Sequence, residues 1–145
     1  MPHIPPKPKN DKEFLEVMSR IVFISGFNWR VVDKRWPKIK KAFHNFNVNK
    51  VAAETPENVI AKEGMIKNSS KIIAIIENAK LCKEIIKKHK SINNWIKEIQ
   101  KNNKKEPLFT PTVREEMKRF HKIGHMTSRW MAYVTTRDKR LLEKD

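Results

Sequence analysis

From Ser69 to His89 the chain sets Ile72, Ile75, Ile76, Ala79, Cys82, Ile85 and Ile86 at helical spacings, with lysines filling the positions between them. An amphipathic helix buries such a stripe along one side. A central helix of this length dictates what surrounds it, because the remaining elements must cover its apolar face. The chain has little with which to build a sheet for that purpose. Only three glycines occur in 145 residues, whereas sheets with tight hairpins draw on glycine and Asn-Gly turns. The expectation is an all-α fold, a compact helical bundle.

The shorter elements follow from capping and breaking residues. Pro2, Pro5, Pro6 and Pro8 predict an extended N-terminal arm over residues 1–10, leaving 11–145 as one helical domain. Asp11 is the expected N-cap of a helix through Phe14, Leu15, Met18 and Val22 that stops near Gly26. Trp29, Val32 and Trp36 predict a short helix, and Pro37 opens another carrying Ile39, Ala42, Phe43 and Phe46. Thr55-Pro56 and Thr110-Pro111 each have the form of an N-cap followed by proline at the first helical position. Ser91 to Gln100 is expected as a helix around Ile92, Trp95, Ile96 and Ile99, and Lys101 to Pro107 as a polar linker. Val113, Met117 and Phe120 share a helix face, Gly124 interrupts, and Met126, Trp130, Tyr133 and Val134 begin the next helix. There is no internal repeat.

Charge narrows the function. The chain carries 32 Lys+Arg against 16 Asp+Glu, a formal net charge of +16, and such a surface gains free energy by releasing counterions from phosphate polyanions. Nucleic acid is therefore the first partner expected; lysines kept for solubility and an anionic membrane surface are the alternatives. The lysines spread over most of the chain, densest from Lys83 to Lys105, so the charge belongs to the folded body and not to a tail. Four Trp and seven Phe with 39% hydrophobic residues suffice for a core. No apolar run reaches the ~18 residues of a membrane span, and the first ten residues lack a signal-peptide core. A soluble, cytoplasmic protein is expected. Cys82 stands alone, which excludes an intramolecular disulfide and a cysteine-rich zinc site, and its place on the apolar stripe predicts a buried small hydrophobe. His44, His89, His121 and His125 have no metal-ligand spacing, so no metal or cofactor is expected. Asp33 and Asp138, each beside basic residues, fit solvated ion pairs.

One local string points to a binding mode. Phe120-His121-Lys122-Ile123-Gly124-His125-Met126-Thr127 has an apolar residue, then glycine, then a helix N-terminus, as in a helix-hairpin-helix turn. Glycine admits close backbone approach, and the amides opening the second helix point outward toward a phosphate at the positive end of the helix dipole. Lys122 and Arg129 add charge there, and His125 is a candidate contact from the hairpin. An ordinary helix C-cap is the competing reading of Gly124.

A second string is more specific. Phe14 to Trp29 reads Phe-Leu-Glu-Val-Met-Ser-Arg-Ile-Val-Phe-Ile-Ser-Gly-Phe-Asn-Trp, followed by Val31, Val32, Lys34 and Arg35. With Phe43, Val51 and the run Gly64-Met65-Ile66-Lys67-Asn68-Ser69-Ser70-Lys71-Ile72, the chain resembles the 3-methyladenine DNA glycosylase I family of the helix-hairpin-helix glycosylase superfamily, over roughly residues 14–133. The resemblance implies an enzyme that flips an alkylated purine out of duplex DNA and cleaves its glycosidic bond. It implies a wedge at Gly26 and Phe27, filling the gap left by the flipped nucleotide. It also implies a base pocket at Ile21, Ile24 and Trp29, where the Trp29 face would favour a cationic methylated base. Lys67 and Asn68 join Lys122, Gly124, His125, Met126, Thr127 and Arg129 as candidate DNA contacts. For Phe27 and Trp29 the competing reading is a core role at a helix end.

The chain departs from the family in ways that bear on chemistry. The pocket glutamate of the family falls at Ile21, and the neighbouring glutamine at Ile24. The cysteine and histidine ligands that join the family's termini through zinc are missing, so no zinc is expected. The aspartate of other superfamily members would fall near Glu143 and Asp145, at the chain end, and no catalytic residue is assigned. Glu16 lies in the matched segment and is expected in a surface or salt-bridge role. A monomeric, nucleoid-associated repair glycosylase acting on damaged double-stranded DNA heads the expectations. A non-catalytic DNA-damage or structural DNA-binding protein on the same scaffold, and a basic helical module for RNA or a protein partner, are the alternatives.

Overall fold

The computed structural model describes residues 4–143. Among them lie eight α-helices: α1 (Asp11–Ile24), α2 (Trp29–Ala42), α3 (Val48–Ala52), α4 (Pro56–Ile60), α5 (Ser69–His89), α6 (Ile92–Lys105), α7 (Val113–Met117) and α8 (His125–Thr136). A 3-10 turn, Lys139–Leu142, follows α8. No strand occurs among the described residues, and the fold is all-α. The central helix has the bounds its periodicity predicts: α5 spans 21 residues and buries Ile72, Ile75, Ala79 and Cys82. Around it pack α1, α3, α4 and α6, while α8 packs on α7 and α1.

Side-chain caps take the place of glycine turns. Seven of the eight helices open on Asn, Ser or Thr whose side chain accepts from an amide of the first turn: Asn10, Asn28, Asn47, Thr55, Asn68, Ser91 and Thr112. Each such cap is worth about 1 kcal/mol against alanine. Thr55-Pro56 behaves as expected. Elsewhere the boundaries shift. Asn10, not Asp11, caps α1; the Asp11 carboxylate accepts from the Ile92 amide at 2.8 Å, tying the starts of α1 and α6 together. Thr112 caps α7 in place of Thr110, because the Asn103 amide holds the Thr110 and Pro111 carbonyls at 3.4 and 2.8 Å and keeps them outside the helix. The expected linker from Lys101 is helical as far as Lys105, a polar extension that apolar periodicity does not reveal.

The two helices expected around Trp36 are one. α2 runs through Pro37, whose ring faces solvent while Val32, Trp36 and Ile39 line a buried stripe on both sides of it. An interior proline costs about 3 kcal/mol, and burying two side chains of this size returns about 1.5–3 kcal/mol each. The expected continuation to Phe46 ends instead in a left-handed turn, with φ of 54°, 54° and 61° at His44, Asn45 and Phe46. L-residues resist that conformation. Here it delivers the Phe46 ring onto Trp36 and Phe43, with centroids at 5.5 and 5.6 Å and planes within 16°.

The arm is held where it is described: Arg137 donates to the Pro5 carbonyl and the Asn93 side chain to that of Lys9. No described helix is long and apolar enough to cross a membrane.

Candidate nucleic-acid interface

At the end of α1 the chain turns through Gly26 at φ +69°, and a Cβ there would meet nothing within 4 Å. The conformation, and not lack of room, calls for glycine. The turn leaves Phe27 45% exposed, between the end of α1 and the Asn28 cap of α2. Beneath it sits Lys71, whose Nζ donates to the Phe23 and Ser25 carbonyls, both at 2.8 Å, and lies 5.5 Å from the centre of the Phe27 ring. Carbonyls at a helix C-terminus lack intrahelical donors and carry negative partial charge, so an ammonium satisfies both needs. Partial burial lowers the Lys71 pKa, and the nearby Lys122 ammonium lowers it further.

That Lys122 belongs to the second loop. After α7 the chain turns through Phe120 and Ile123, both buried, with Lys122 itself at φ +61°. Gly124 sits at φ −108°, and a Cβ there meets nothing. Neither the backbone conformation nor the packing of this protein therefore demands glycine at 124, whereas an outside group approaching the main chain would. Gly124 is the N-cap of α8, and no side chain caps that helix's first turn. The Thr127 hydroxyl instead accepts from the Gly124 amide at 2.8 Å, and Arg114 donates to the His125 carbonyl at 3.0 Å. The loop is fixed from within by Asn78 of α5, fully buried. Its side chain donates to the His121 carbonyl at 3.1 Å and accepts from the His121 amide at 2.6 Å.

The two loops meet. Ser25 lines one shallow surface pocket with Lys122, Ile123, Gly124, His125, Met126 and Thr127. Met126 is 56% exposed at its edge. The face thus combines an exposed aromatic ring, an uncapped helix start and two ammonium groups.

The other expected site residues have varied settings. Ile21 is 3% exposed in the core, Ile24 is half-buried, and half-buried Trp29 carries the Arg30 guanidinium 5.3 Å above its ring. Lys67 donates to the Ile60 carbonyl at 2.8 Å, and Asn68 caps α5. Arg129 donates to the Leu141 and Glu143 carbonyls, tying α8 to the final turn. Glu16 accepts from the Trp36 indole at 3.0 Å and pairs with Lys40, and Asp33 pairs with Arg20. Cys82 is buried, which raises its thiol pKa. Asp145 lies outside the described residues. Among the described residues no three His, Cys, Asp or Glu side chains gather as they would around a metal ion.

Lys71 and Asn78 were not singled out by sequence. For Asn78 a signal existed, since it lies between Ile75 and Cys82 on the apolar stripe, and a polar group there must find a buried partner.

The methyladenine glycosylase family model matches residues 5–131. No curated protein matches the chain significantly by sequence. Among solved structures, a Tyr-to-Phe variant of 3-methyladenine DNA glycosylase I in complex with 3-methyladenine superposes with a TM-score of 0.72 at 16% identity, covering 97% of this chain and 87% of that one. The enzyme from Staphylococcus aureus gives 0.71 at 15% identity, covering 96% and 86%. A further structure of 3-methyladenine DNA glycosylase I gives 0.70 at 18%, covering 90% and 83%. With the family model spanning most of its length, the chain belongs to the methyladenine glycosylase family.

Proposed function

We propose that this protein is a DNA-repair glycosylase that grips duplex DNA at the Lys122–Thr127 turn, inserts Phe27, and removes an everted alkylated purine by hydrolysis of its N-glycosidic bond. The observation that carries the reading is the meeting of the two loops at Ser25. It brings a helix start without a side-chain cap and an exposed aromatic ring to one face of a protein with a net charge of +16. Backbone amides at a helix N-terminus take a phosphate without a dedicated side chain. A ring inserted into the stack offsets the few kcal/mol of unstacking, which is smallest at a damaged base. The solved relative that holds 3-methyladenine makes methylated adenine the first substrate to try. In the proposed complex of this protein with duplex DNA, Gly26 and Phe27 would fill the gap, Lys122 and the amides of His125 to Thr127 would hold phosphate, and Ile24 and Trp29 would border the everted base above Ile21.

A cationic methylated base is already a good leaving group, so such an enzyme needs little acid-base machinery beyond stabilising charge on the sugar. The test is incubation of the protein with methylated duplex DNA, followed by chromatography of released bases. Release of 3-methyladenine above the spontaneous rate is expected. A second reading, damage binding without cleavage, is favoured by one observation: isoleucines stand at 21 and 24, so that edge offers no hydrogen bond to a base. Tight binding to abasic DNA with no base release would select it. We further propose that the protein acts as a monomer in association with the nucleoid.

A further inference from the structure

Within its own helix Lys71 is badly placed. It is the third residue of α5, where its amide donates to the Asn68 cap at 3.1 Å, and a cation in a first turn meets the positive end of the helix dipole. Partial burial opposes its charge, and so does the Lys122 ammonium on the neighbouring loop. A lysine kept against three unfavourable effects has its purpose outside α5. We propose that Lys71 is a positioning residue for Phe27: it fixes the Gly26 turn and the pose of the ring before DNA arrives, and leaves phosphate to Lys122. The inference rests on the DNA-glycosylase reading above, in which Phe27 enters the duplex.

The geometry of the turn carries this role. Lys71 Nζ donates to the Phe23 and Ser25 carbonyls, 48 and 46 residues back in the chain, and stands 5.5 Å from the centre of the Phe27 ring. One ammonium thus holds the backbone on one side of Gly26 and the side chain on the other. Residues 25–28 are all exposed, and a Cβ at Gly26 would meet nothing within 4 Å. The local backbone bonds, from the Ser25 amide to Ile21 and from the Phe27 amide to Ile24, both at 3.0 Å, fix the chain but not the ring. The negative face of a phenyl ring attracts a cation, and here that cation is itself anchored. A side chain ordered in the free protein loses less conformational freedom on entering a base stack, so its insertion costs less.

Lys71 and Lys122 carry the same charge on neighbouring elements, yet their settings differ. An ammonium has three donors, and half-buried Lys71 commits two of them to carbonyls. Lys122 is exposed and lines the shallow pocket with Gly124 to Thr127, whereas Lys71 is not part of that lining. The two lysines therefore divide the work: losing Lys122 removes a phosphate contact, and losing Lys71 loosens the ring.

The test compares gel-shift affinities of the full-length protein for a duplex with one abasic site and for the intact duplex of the same sequence, across a salt series. Lys71→Met keeps the length of the side chain and removes its charge and donors. It should lower the preference for the abasic duplex about three-fold or more, leave the salt slope unchanged, and have no further effect on that preference in a Phe27→Ala background. Should Lys71→Met fail to fold, a trifluorinated phenylalanine in place of Phe27 decides. It leaves Lys71 and its carbonyls in place, weakens the negative face of the ring, and should reproduce the loss of preference. A salt slope reduced by about one, with equal losses on both duplexes, makes Lys71 a phosphate contact and overturns the proposal. So does a preference unchanged by Lys71→Met or by the fluorinated ring, which leaves Lys71 only a cap of α1, or a loss that persists without Phe27. If the wild type binds no duplex, the reading beneath falls instead.

Discussion

Gly26 and Gly124 show how one residue type serves two ends. At Gly26 the backbone sits at φ +69° in open space, so alanine would fit but would be forced into a left-handed conformation. Gly26→Ala should lower stability by about 1 kcal/mol, measured as a urea midpoint. At Gly124 the backbone is ordinary and the space again open, so Gly124→Ala should cost less than about 1 kcal/mol in the same measurement. Its effect belongs to binding, because the new methyl group stands where a phosphate oxygen would approach the amides. Duplex affinity in a gel shift should fall for Gly124→Ala, and unchanged affinity would remove the turn from the DNA surface. Phe27 makes a complementary case. Its ring is 45% exposed, with the Lys71 ammonium 5.5 Å from its centre, so removing it costs little folding energy. Phe27→Ala should weaken binding to abasic or lesion-bearing duplex more than to intact duplex; equal losses on both would contradict the wedge role.

Between elements, the decisive contacts join groups far apart in the chain, and this sets what could be read in advance. The α5 stripe was legible because its periodicity is an intrinsic property of one segment, and Ser69–His89 has the predicted bounds. The continuity of α2 was not, because the stripe that overrides Pro37 matters only once α1 lies against it. The site divides in the same way. Gly124 at a helix start could be picked out from neighbouring residues, whereas Lys71 and Asn78 act on carbonyl and amide groups 43 to 48 residues away that every residue possesses. Asn78→Leu should therefore do two things. It strands a donor and an acceptor of His121, costing about 1–3 kcal/mol per buried group, and it speeds hydrogen exchange at the His121 amide. A mutant that loses stability without faster exchange there would contradict the role of Asn78 as the internal support of the turn. The final turn has its own device. The Asp138 carboxylate accepts from the Arg140 amide and guanidinium, chiefly the side-chain bond, which holds its pKa below the ordinary value. A depressed carboxylate pKa contributes stability above the unfolded value near ~3.9 and loses it as pH falls through the lower folded value. Asp138→Asn should be less stable than wild type at pH 6 and should converge with it as the pH falls below the depressed folded value, as urea midpoints would show.

Across the molecule many of the described carboxylates pair with basic neighbours: Glu16 with Lys40, Glu54 with Lys62, Asp33 with Arg20 and Glu116 with Arg119. Such exposed or half-exposed pairs add little stability, but they decide where positive potential survives. At the meeting of the two loops Lys71 and Lys122 lie close enough for one to depress the other's pKa. That concentration costs free energy in the unbound protein and would be relieved by a phosphate, so on the proposed reading binding should gather at this face and not spread over every lysine. Salt dependence separates the two cases, since each neutralised phosphate contributes about −0.9 to the slope of log K against log salt. Lys122→Gln should reduce that slope by about one, with the same loss on intact and damaged duplex. Lys83 provides the control. It lies on α5 twelve residues beyond Lys71, about 18 Å along the helix, and lines a separate pocket with Asn10 and Asn47. Lys83→Gln lowers the net charge equally but should leave the slope unchanged, whereas equal effects of the two substitutions would mean that diffuse charge, and not a built site, holds the duplex.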